Sequence, residues 1–163
     1  MNPTQLRELV VRPVLKYLEP EIPYSEEAED LLVMTAAHES NCGLYLKQIE
    51  GVALGIYQME PATELDIMVN FLEHRDELNR KIVDLIADFT MGMSPLGSEL
   101  VWNLAYATAM ARVHYWRVPA ALPSKDDQDY RRHLAVYAKE YYNTQLGKAT
   151  ISDYYNAYTR ASV

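Results

Sequence analysis

Cysteine and glycine are scarce in this sequence. Cys42 is the one cysteine among 163 residues, so the chain can form no internal disulfide and no cysteine-rich zinc module. Its 6 glycines and 8 prolines are too few for a collagen-like or low-complexity chain. We therefore expect a single domain over residues 1–163, with a hydrophobic core that needs no covalent or metal cross-link.

Positive charge and long apolar runs are also lacking. The chain carries 15 Lys and Arg against 23 Asp and Glu, a net charge of −8. Because nucleic-acid affinity depends on neutralising phosphates, this balance argues against a nucleic-acid partner. No run approaches the roughly 18 apolar residues of a membrane span, and Met1 to Glu8 contain no basic segment followed by an apolar one. We expect no membrane insertion, and synthesis in the cytoplasm without a signal peptide.

Apolar residues recur at helical spacing along most of the chain. Ser25 is a good N-cap for a helix in which Leu31 to Ala37 are apolar nearly all round, which predicts a central buried helix. Residues 44–60 are interrupted by glycines and contain side chains that favour extended backbone. The pattern predicts a mostly α fold with a small β element around residues 44–60.

Three more helices are expected in the C-terminal half. The first extends from Ser98 to about Arg117, and the second from Asp127 to Asn143. Thr150 with Asp153 resembles a capping box, which predicts that a short last helix begins there.

Glu39 lies at the end of the most apolar predicted helix. Burial and the negative end of the helix dipole both disfavour a charged carboxylate, so we expect a raised pKa for Glu39. A carboxylic acid that stays protonated near neutral pH is suited to protonating a departing sugar oxygen. Gly55 would permit close approach of a ligand to the backbone, and Gln58 offers a donor and an acceptor to sugar hydroxyl or N-acetyl groups.

Together these segments resemble a known family. Glu39-Ser40 ends the apolar helix, and Gly55-Ile56-Tyr57-Gln58 follows after a loop, with Pro61-Ala62-Thr63 shortly behind. This order resembles the Glu-Ser, Gly-Leu-Met-Gln and Pro-x-Thr motifs of the soluble lytic transglycosylases and goose-type lysozymes. Asn103-Leu104 is similar to the start of a later helix in that family. The resemblance covers about residues 25–147.

The resemblance implies a lysozyme-like domain that cleaves peptidoglycan glycan strands without a metal or cofactor. Glu39 would protonate the oxygen of the β-1,4 bond between N-acetylmuramic acid and N-acetylglucosamine. A lytic transglycosylase then uses the same carboxylate as base on the muramic acid 6-hydroxyl, whereas a hydrolytic lysozyme usually uses a second carboxylate. The candidates for that second carboxylate are Glu50, Glu60, Glu64 and Asp66, of which Glu60 lies beside the Gln58 motif. Both routes stay open.

A third family motif, Leu-Ala-x-Tyr-Asn, places a tyrosine near the catalytic glutamate. Two registers fit it: Leu134 to Tyr137, or Tyr142-Asn143 with Gly147 following. The substrate-binding residues that the resemblance implies are therefore Ser40, Gly55, Tyr57, Gln58, Tyr137 and Tyr142.

The small size and the missing signal peptide favour a bacteriophage or prophage protein that acts on the wall after release or as part of a virion. An alternative from another class is a lysozyme-fold structural or binding component of a phage particle, whose partners are other virion proteins. The acidic net charge favours this alternative, and the pairing of Glu39 with Gln58 favours the enzyme. His38 and Cys42 are disfavoured as a metal pair, because Ser40-Asn41 and Gly43 signal that their helix is ending. They are disfavoured as a nucleophilic dyad, because near neighbours in sequence rarely form one and no third group orients them.

Overall fold

The computed structural model describes residues 1–86, 97–143 and 149–161, and helices hold most of them. The mostly α expectation is confirmed. A π-helical segment, Arg7–Val11, joins the first two helices, and a 3₁₀ turn, Leu72–His74, separates the fourth from the fifth. In chain order the helices are α1 (Pro3–Leu6), α2 (Arg12–Tyr17), α3 (Glu26–Ser40), α4 (Pro61–Asn70), α5 (Asp76–Asp84), α6 (Ser98–Trp102), α7 (Leu104–Trp116), α8 (Tyr130–Tyr141) and α9 (Ile151–Ala161).

Helix α3 lies at the centre of the molecule, as its composition predicted. Ser25 caps it by accepting a hydrogen bond from the Ala28 backbone N–H at 3.1 Å. The helix is buried without interruption from Ala28 to Ala37, and it packs against α7, α8 and α9. It ends at Asn41, which adopts a left-handed conformation with φ of 50°. The end of α3 therefore holds Glu39 between the core and the surface.

The predicted small β element consists of two isolated antiparallel bridges, which pair Leu54 with Lys47 and with Met59. Gly55 follows with φ of +74°. A Cβ atom built on Gly55 would lie 1.8 Å from the Leu100 carbonyl oxygen. The turn at Gly55 therefore packs directly on the backbone of α6, which only glycine allows.

The prediction of a single helix from Ser98 to about Arg117 is wrong, because Asn103 separates α6 from α7. The Asn103 side chain accepts a hydrogen bond from the Tyr106 backbone N–H at 3.0 Å and donates one to the Leu85 carbonyl oxygen at 2.6 Å. Asn103 is thus the N-cap of α7.

The last two helices follow the sequence pattern more closely. Helix α8 begins three residues after Asp127 and ends two residues before Asn143. The capping box at the start of α9 is confirmed, since the Asp153 carboxylate accepts from the Thr150 backbone N–H at 2.8 Å and the Thr150 hydroxyl accepts from the Asp153 N–H at 3.2 Å.

Buried apolar residues form one cluster to which each of the nine helices named above contributes. Within residues 1–86, 97–143 and 149–161, none of the helices combines the length and hydropathy needed to cross a bilayer.

Candidate active site

A cleft of about 320 Å³ opens at the end of α3. Its walls also come from the loop before α4, the last turn of α7 and the chain just after α8. The two sequence motifs meet there, because Glu39 and Gln58 both line the cleft. The lining residues are Glu39, Gln48, Ala53, Gln58, Met59, Glu60, Thr63, His114, Tyr142 and Asn143.

The Glu39 carboxyl group is largely buried, with 17% of its side chain exposed. Burial raises its pKa from 4.5 to about 7, although the Tyr154 hydrogen bond and the positive charge of Lys139 both act to lower it. The Tyr154 hydroxyl donates to Oε1 of Glu39 at 2.6 Å. A carboxyl group with a pKa near 7 populates both protonation states at neutral pH, so it can donate a proton and later accept one.

His38 contributes to this environment without placing a positive charge beside the carboxyl group. Its ring stacks on Tyr154 with centroids 3.8 Å apart, and its Nε2 lies 3.9 Å from Oε1 of Glu39. Burial lowers the pKa of His38 below its ordinary value of 6.5, so the imidazole is mostly neutral at pH 7. Glu39 therefore has no neighbouring imidazolium that would keep it ionised.

Gln58 adopts a left-handed backbone conformation, with φ of 47°. Its Nε2 donates to the Gly55 carbonyl oxygen at 2.7 Å, which fixes the side-chain amide against its own turn. No described residue donates to Oε1 of Gln58, so this oxygen is an available acceptor on the cleft wall.

Ser40 does not line the cleft, contrary to its expected role as a substrate contact. It is buried, and its hydroxyl donates to the Ile56 carbonyl oxygen at 2.6 Å and accepts from the Gly43 N–H at 2.8 Å. The hydroxyl thereby ties the end of α3 to the turn that carries Gln58. Its proximity to Glu39 in sequence reflects this structural link.

Gly55 and Tyr57 were also expected to contact substrate, and neither lines the cleft. Both are buried. The close approach that Gly55 permits is to the backbone of Leu100 rather than to a ligand. Tyr57 lies in the core, where its hydroxyl hydrogen-bonds with the Thr108 hydroxyl at 3.2 Å.

The two registers of the third motif lie in different places. Tyr142 and Asn143 line the cleft, and the Tyr142 hydroxyl donates to the Tyr57 carbonyl oxygen at 2.8 Å. Tyr137 does not reach the cleft, because its hydroxyl donates to the Ala120 carbonyl oxygen at 3.0 Å on another side of α8. Gly147, the last position of the Tyr142 register, lies outside the described residues.

The tyrosine that bonds to Glu39 is Tyr154, which sequence analysis missed. The Thr150 capping box places Tyr154 in the first turns of α9, but no local pattern indicates that α9 packs along α3. Tyr154 is one of 13 tyrosines in the chain, so its residue type alone does not distinguish it.

Among the four candidates for a second carboxylate, Glu60 alone lines the cleft, where it is exposed. Glu50 is exposed elsewhere on the loop. Glu64 is buried and accepts a hydrogen bond from the Tyr106 hydroxyl at 2.8 Å. Asp66 forms an ion pair with Arg117 at 2.6 Å. The structure therefore reduces the choice to Glu60.

His114 lines the cleft, and sequence analysis missed it as well. Burial and the nearby charge of Arg117 lower the pKa of His114 to about 4, so the ring is neutral at pH 7. Its Nε2 lies 3.1 Å from the Tyr141 carbonyl oxygen and donates to it, which leaves Nδ1 to accept from Arg117 at 3.1 Å. The His114 ring packs edge-on against the Tyr142 ring, with centroids 5.1 Å apart, and this contact positions Tyr142 in the cleft wall.

Cys42 is buried, and burial raises the pKa of its thiol. The described part of the chain contains no group of three or more His, Cys, Asp or Glu side chains that could hold a metal ion.

Comparisons of the chain with family models, with curated proteins and with solved structures return no match. A functional assignment therefore depends on the geometry of the cleft and on the motifs themselves.

Proposed function

We propose that this protein cleaves the β-1,4 bond between N-acetylmuramic acid and N-acetylglucosamine in peptidoglycan, with Glu39 as general acid and base. The observation that carries the proposal is the Glu39 carboxyl group, whose pKa is about 7 inside a cleft that also contains Gln58. The motif resemblance supplies the substrate class and the expectation of a lysozyme-like fold.

The cleft lining supports a carbohydrate ligand. Its polar side chains include three amides, on Gln48, Gln58 and Asn143, and the hydroxyl of Thr63. Amides and hydroxyls both donate and accept hydrogen bonds, which matches the hydroxyl and N-acetyl groups of an uncharged sugar. The one exposed charge on the lining is Glu60.

In the first step, protonated Glu39 donates its proton to the glycosidic oxygen as the bond from C1 of N-acetylmuramic acid to that oxygen breaks. The leaving group departs as a neutral alcohol, and positive charge develops at C1 and the ring oxygen. Glu39 is now a carboxylate, and the Tyr154 hydroxyl stabilises it through their 2.6 Å hydrogen bond. Without such a donor, the buried carboxylate would be less stable, and Glu39 would be a weaker acid.

In the second step, the Glu39 carboxylate accepts a proton from the nucleophile that bonds to C1. If the nucleophile is the 6-hydroxyl of the same sugar, the product is 1,6-anhydromuramic acid and no second carboxylate is needed. If it is water, the product has a reducing end, and Glu60 is the cleft carboxylate available to orient that water. Glu39 returns to its protonated state in both cases.

The test is release of soluble fragments from dye-labelled peptidoglycan by the wild-type protein, Glu39→Gln and Glu60→Gln. We expect Glu39→Gln to reduce the initial rate by at least about 100-fold, because the amide cannot transfer the proton. Far-ultraviolet circular dichroism checks that the variant is folded. Release by folded Glu39→Gln at the wild-type rate would contradict the proposal.

A second candidate is a binding or structural component of a phage particle, which the net charge of −8 favours. It predicts that the wild type cosediments with peptidoglycan, releases nothing, and behaves like Glu39→Gln. Release that requires Glu39 would exclude this candidate as the main role.

A further inference from the structure

A second pocket, of about 390 Å³, lies beside α7 and shares no lining residue with the Glu39 cleft. Arg112 lines this pocket, and His114 lines the cleft. Residues two positions apart on a helix point to nearly opposite sides, so the pocket and the cleft lie on different sides of α7. The pocket is lined by Pro23, Tyr24, Ser25, Arg112, Tyr115, Trp116, Val118, Pro119, Ala120, Ala121, Leu122 and Tyr137.

Arg112 is the only charged side chain among these lining residues, and it is 4% exposed. Among the described residues, none accepts a hydrogen bond from its guanidinium or forms a salt bridge with it, and its Nε is buried without a partner. Its guanidinium lies over the ring of Trp116, 5.2 Å from the centroid, and it also interacts with Tyr137, which carries no charge at neutral pH. Burial lowers the pKa of Arg112 to about 10. A buried cation without an anion is strongly unfavourable, so this arrangement calls for an anionic partner.

Three other arginines, all less buried than Arg112, show the contrast. Arg7 and Arg12 both hydrogen-bond to the buried carboxylate of Glu29, and Arg117 pairs with Asp66. Each of these arginines is more exposed than Arg112 and still has a carboxylate partner. Arg112 is the one buried arginine among the described residues, and no described carboxylate lies within ion-pair distance of it.

The pocket walls around Arg112 are aromatic, and the tyrosine hydroxyls are bonded to other protein groups. The Tyr24 hydroxyl donates to Glu29 at 3.1 Å, and the Tyr137 hydroxyl donates to the Ala120 carbonyl oxygen at 3.0 Å. The Tyr115 hydroxyl is 2.8 Å from the Thr35 hydroxyl. The rings thus offer apolar surface, and Arg112 supplies the charged end of the pocket.

We propose that this pocket binds a small organic carboxylate, whose charged group pairs with Arg112 and whose apolar body packs against the surrounding aromatic rings. One lining cation matches one negative charge, and the planar guanidinium binds a carboxylate through paired hydrogen bonds. The volume lies at the lower end of the range for small-molecule sites. An aromatic cage alone would also suit a quaternary ammonium ion, but Arg112 repels a cation.

The experiment titrates the full-length wild-type protein with benzoate, with benzamide and with choline, and follows binding by calorimetry. Benzoate and benzamide have nearly the same size and ring, and they differ in charge. We expect benzoate to bind at least about tenfold more tightly than benzamide, because a charged hydrogen-bonded pair forms in a buried site. We expect choline not to bind. Equal affinity for benzoate and benzamide, or no binding of benzoate, would overturn the proposal.

Two variants locate the site. Arg112→Met keeps the length of the side chain and removes its charge, and Arg132→Met makes the same charge change at an exposed position on α8. We expect Arg112→Met to lose the preference for benzoate and, without ligand, to raise the Tm by about 2–4 °C, since an unpaired buried charge is removed. Arg132→Met should keep the preference. A Tm that falls in Arg112→Met would show that Arg112 has a structural partner, and a preference that survives would place the site elsewhere; both results overturn the proposal.

Discussion

At the residue scale, opposing effects set the acidity of Glu39. Burial favours the neutral carboxylic acid, whereas the hydrogen bond from Tyr154 and the positive charge of Lys139 favour the carboxylate. Their balance leaves the pKa at about 7, where neither protonation state is rare at neutral pH. Tyr154 is therefore expected to control the pH range of activity rather than to react itself.

Tyr154→Phe removes the hydroxyl and keeps the ring that stacks on His38. Since the hydrogen bond lowers the pKa of Glu39, its loss raises that pKa further. The protonated acid then persists to higher pH, so the alkaline limb of the pH–rate profile should move upward. Tyr155→Phe, at the exposed neighbouring position, should leave the profile in place. An unchanged profile in Tyr154→Phe would contradict the assignment of Glu39 as the titrating acid.

Gln58→Ala tests the second motif residue that lines the cleft. The amide donates to the Gly55 carbonyl oxygen at 2.7 Å and to the Tyr45 carbonyl oxygen at a longer 3.5 Å, so its removal should reduce the free energy of unfolding by about 1–2 kcal/mol at most. If Oε1 binds the sugar, cleavage at low substrate should fall about tenfold. Gln5→Ala, exposed on α1, is the control. A large loss of Tm with normal kinetics would make Gln58 a structural residue.

The two central site residues could be predicted from sequence, whereas their partners could not. Glu39 ends an apolar helix and Gln58 belongs to a short motif, so both have local signals. Tyr154 reaches Glu39, and His114 reaches the cleft, only through the packing of α9 and α7 around α3. Ser40, Gly55 and Tyr57 belong to the same motifs and serve the core instead, because neighbouring positions on a chain point in different directions.

At the element scale, the turn at Gly55 is fixed from two sides. The Ser40 hydroxyl bonds to Ile56 from the end of α3, and the Leu100 backbone lies directly against Gly55 from α6. This double attachment positions Gln58 relative to Glu39, although the β element itself is only a pair of bridges.

Gly55→Ala should therefore destabilise the protein by at least about 3 kcal/mol, because the new Cβ overlaps backbone that cannot move aside cheaply. Gly43→Ala is the matched control. Gly43 also has a positive φ, of 84°, but its Cβ would meet Ile56 at an ordinary 3.7 Å. It should lose about 1–2 kcal/mol from backbone strain alone. Urea unfolding measures both, and equal losses would contradict the close packing of the turn on α6.

The order of helices could largely be predicted, and the break at Asn103 shows why some boundaries could not. Apolar spacing continues through Asn103, so periodicity indicates one helix from Ser98 onward. The side chain of Asn103 bonds to Leu85, a residue of a distant segment, while it caps α7. Asn is a favoured N-cap residue and Asn103-Leu104 resembles a helix start, so a local signal is present, but the continuous apolar spacing outweighs it.

At the scale of the whole molecule, the raised pKa of Glu39 makes stability depend on pH. A carboxyl group whose pKa is 4.5 unfolded and about 7 folded binds more protons in the folded state between these values. The free energy of unfolding therefore decreases as the pH rises from about 4.5 to 7. The full effect above pH 7 is about 3 kcal/mol.

Glu39→Gln removes this titration. The substitution should therefore raise the free energy of unfolding more at pH 8 than at pH 4, by up to about 3 kcal/mol. Urea unfolding of the wild type and the variant at both pH values measures the effect of the substitution at each pH. The contributions of the other ionisable groups are common to both proteins and cancel. Glu60→Gln makes the same substitution at the exposed carboxylate of the cleft and serves as the control. A gain of stability together with a loss of activity would be the expected pattern for a catalytic acid.

The central claim is that Glu39 transfers a proton during cleavage of a peptidoglycan glycan strand. Mass spectrometry of the fragments from peptidoglycan digested by the wild type and by Glu39→Gln tests it most directly. The account predicts new muramic acid ends that form with the wild type and not with Glu39→Gln: 1,6-anhydro ends if the 6-hydroxyl attacks, reducing ends if water attacks. Fragments that form equally with both proteins, or no fragments with either, would contradict it.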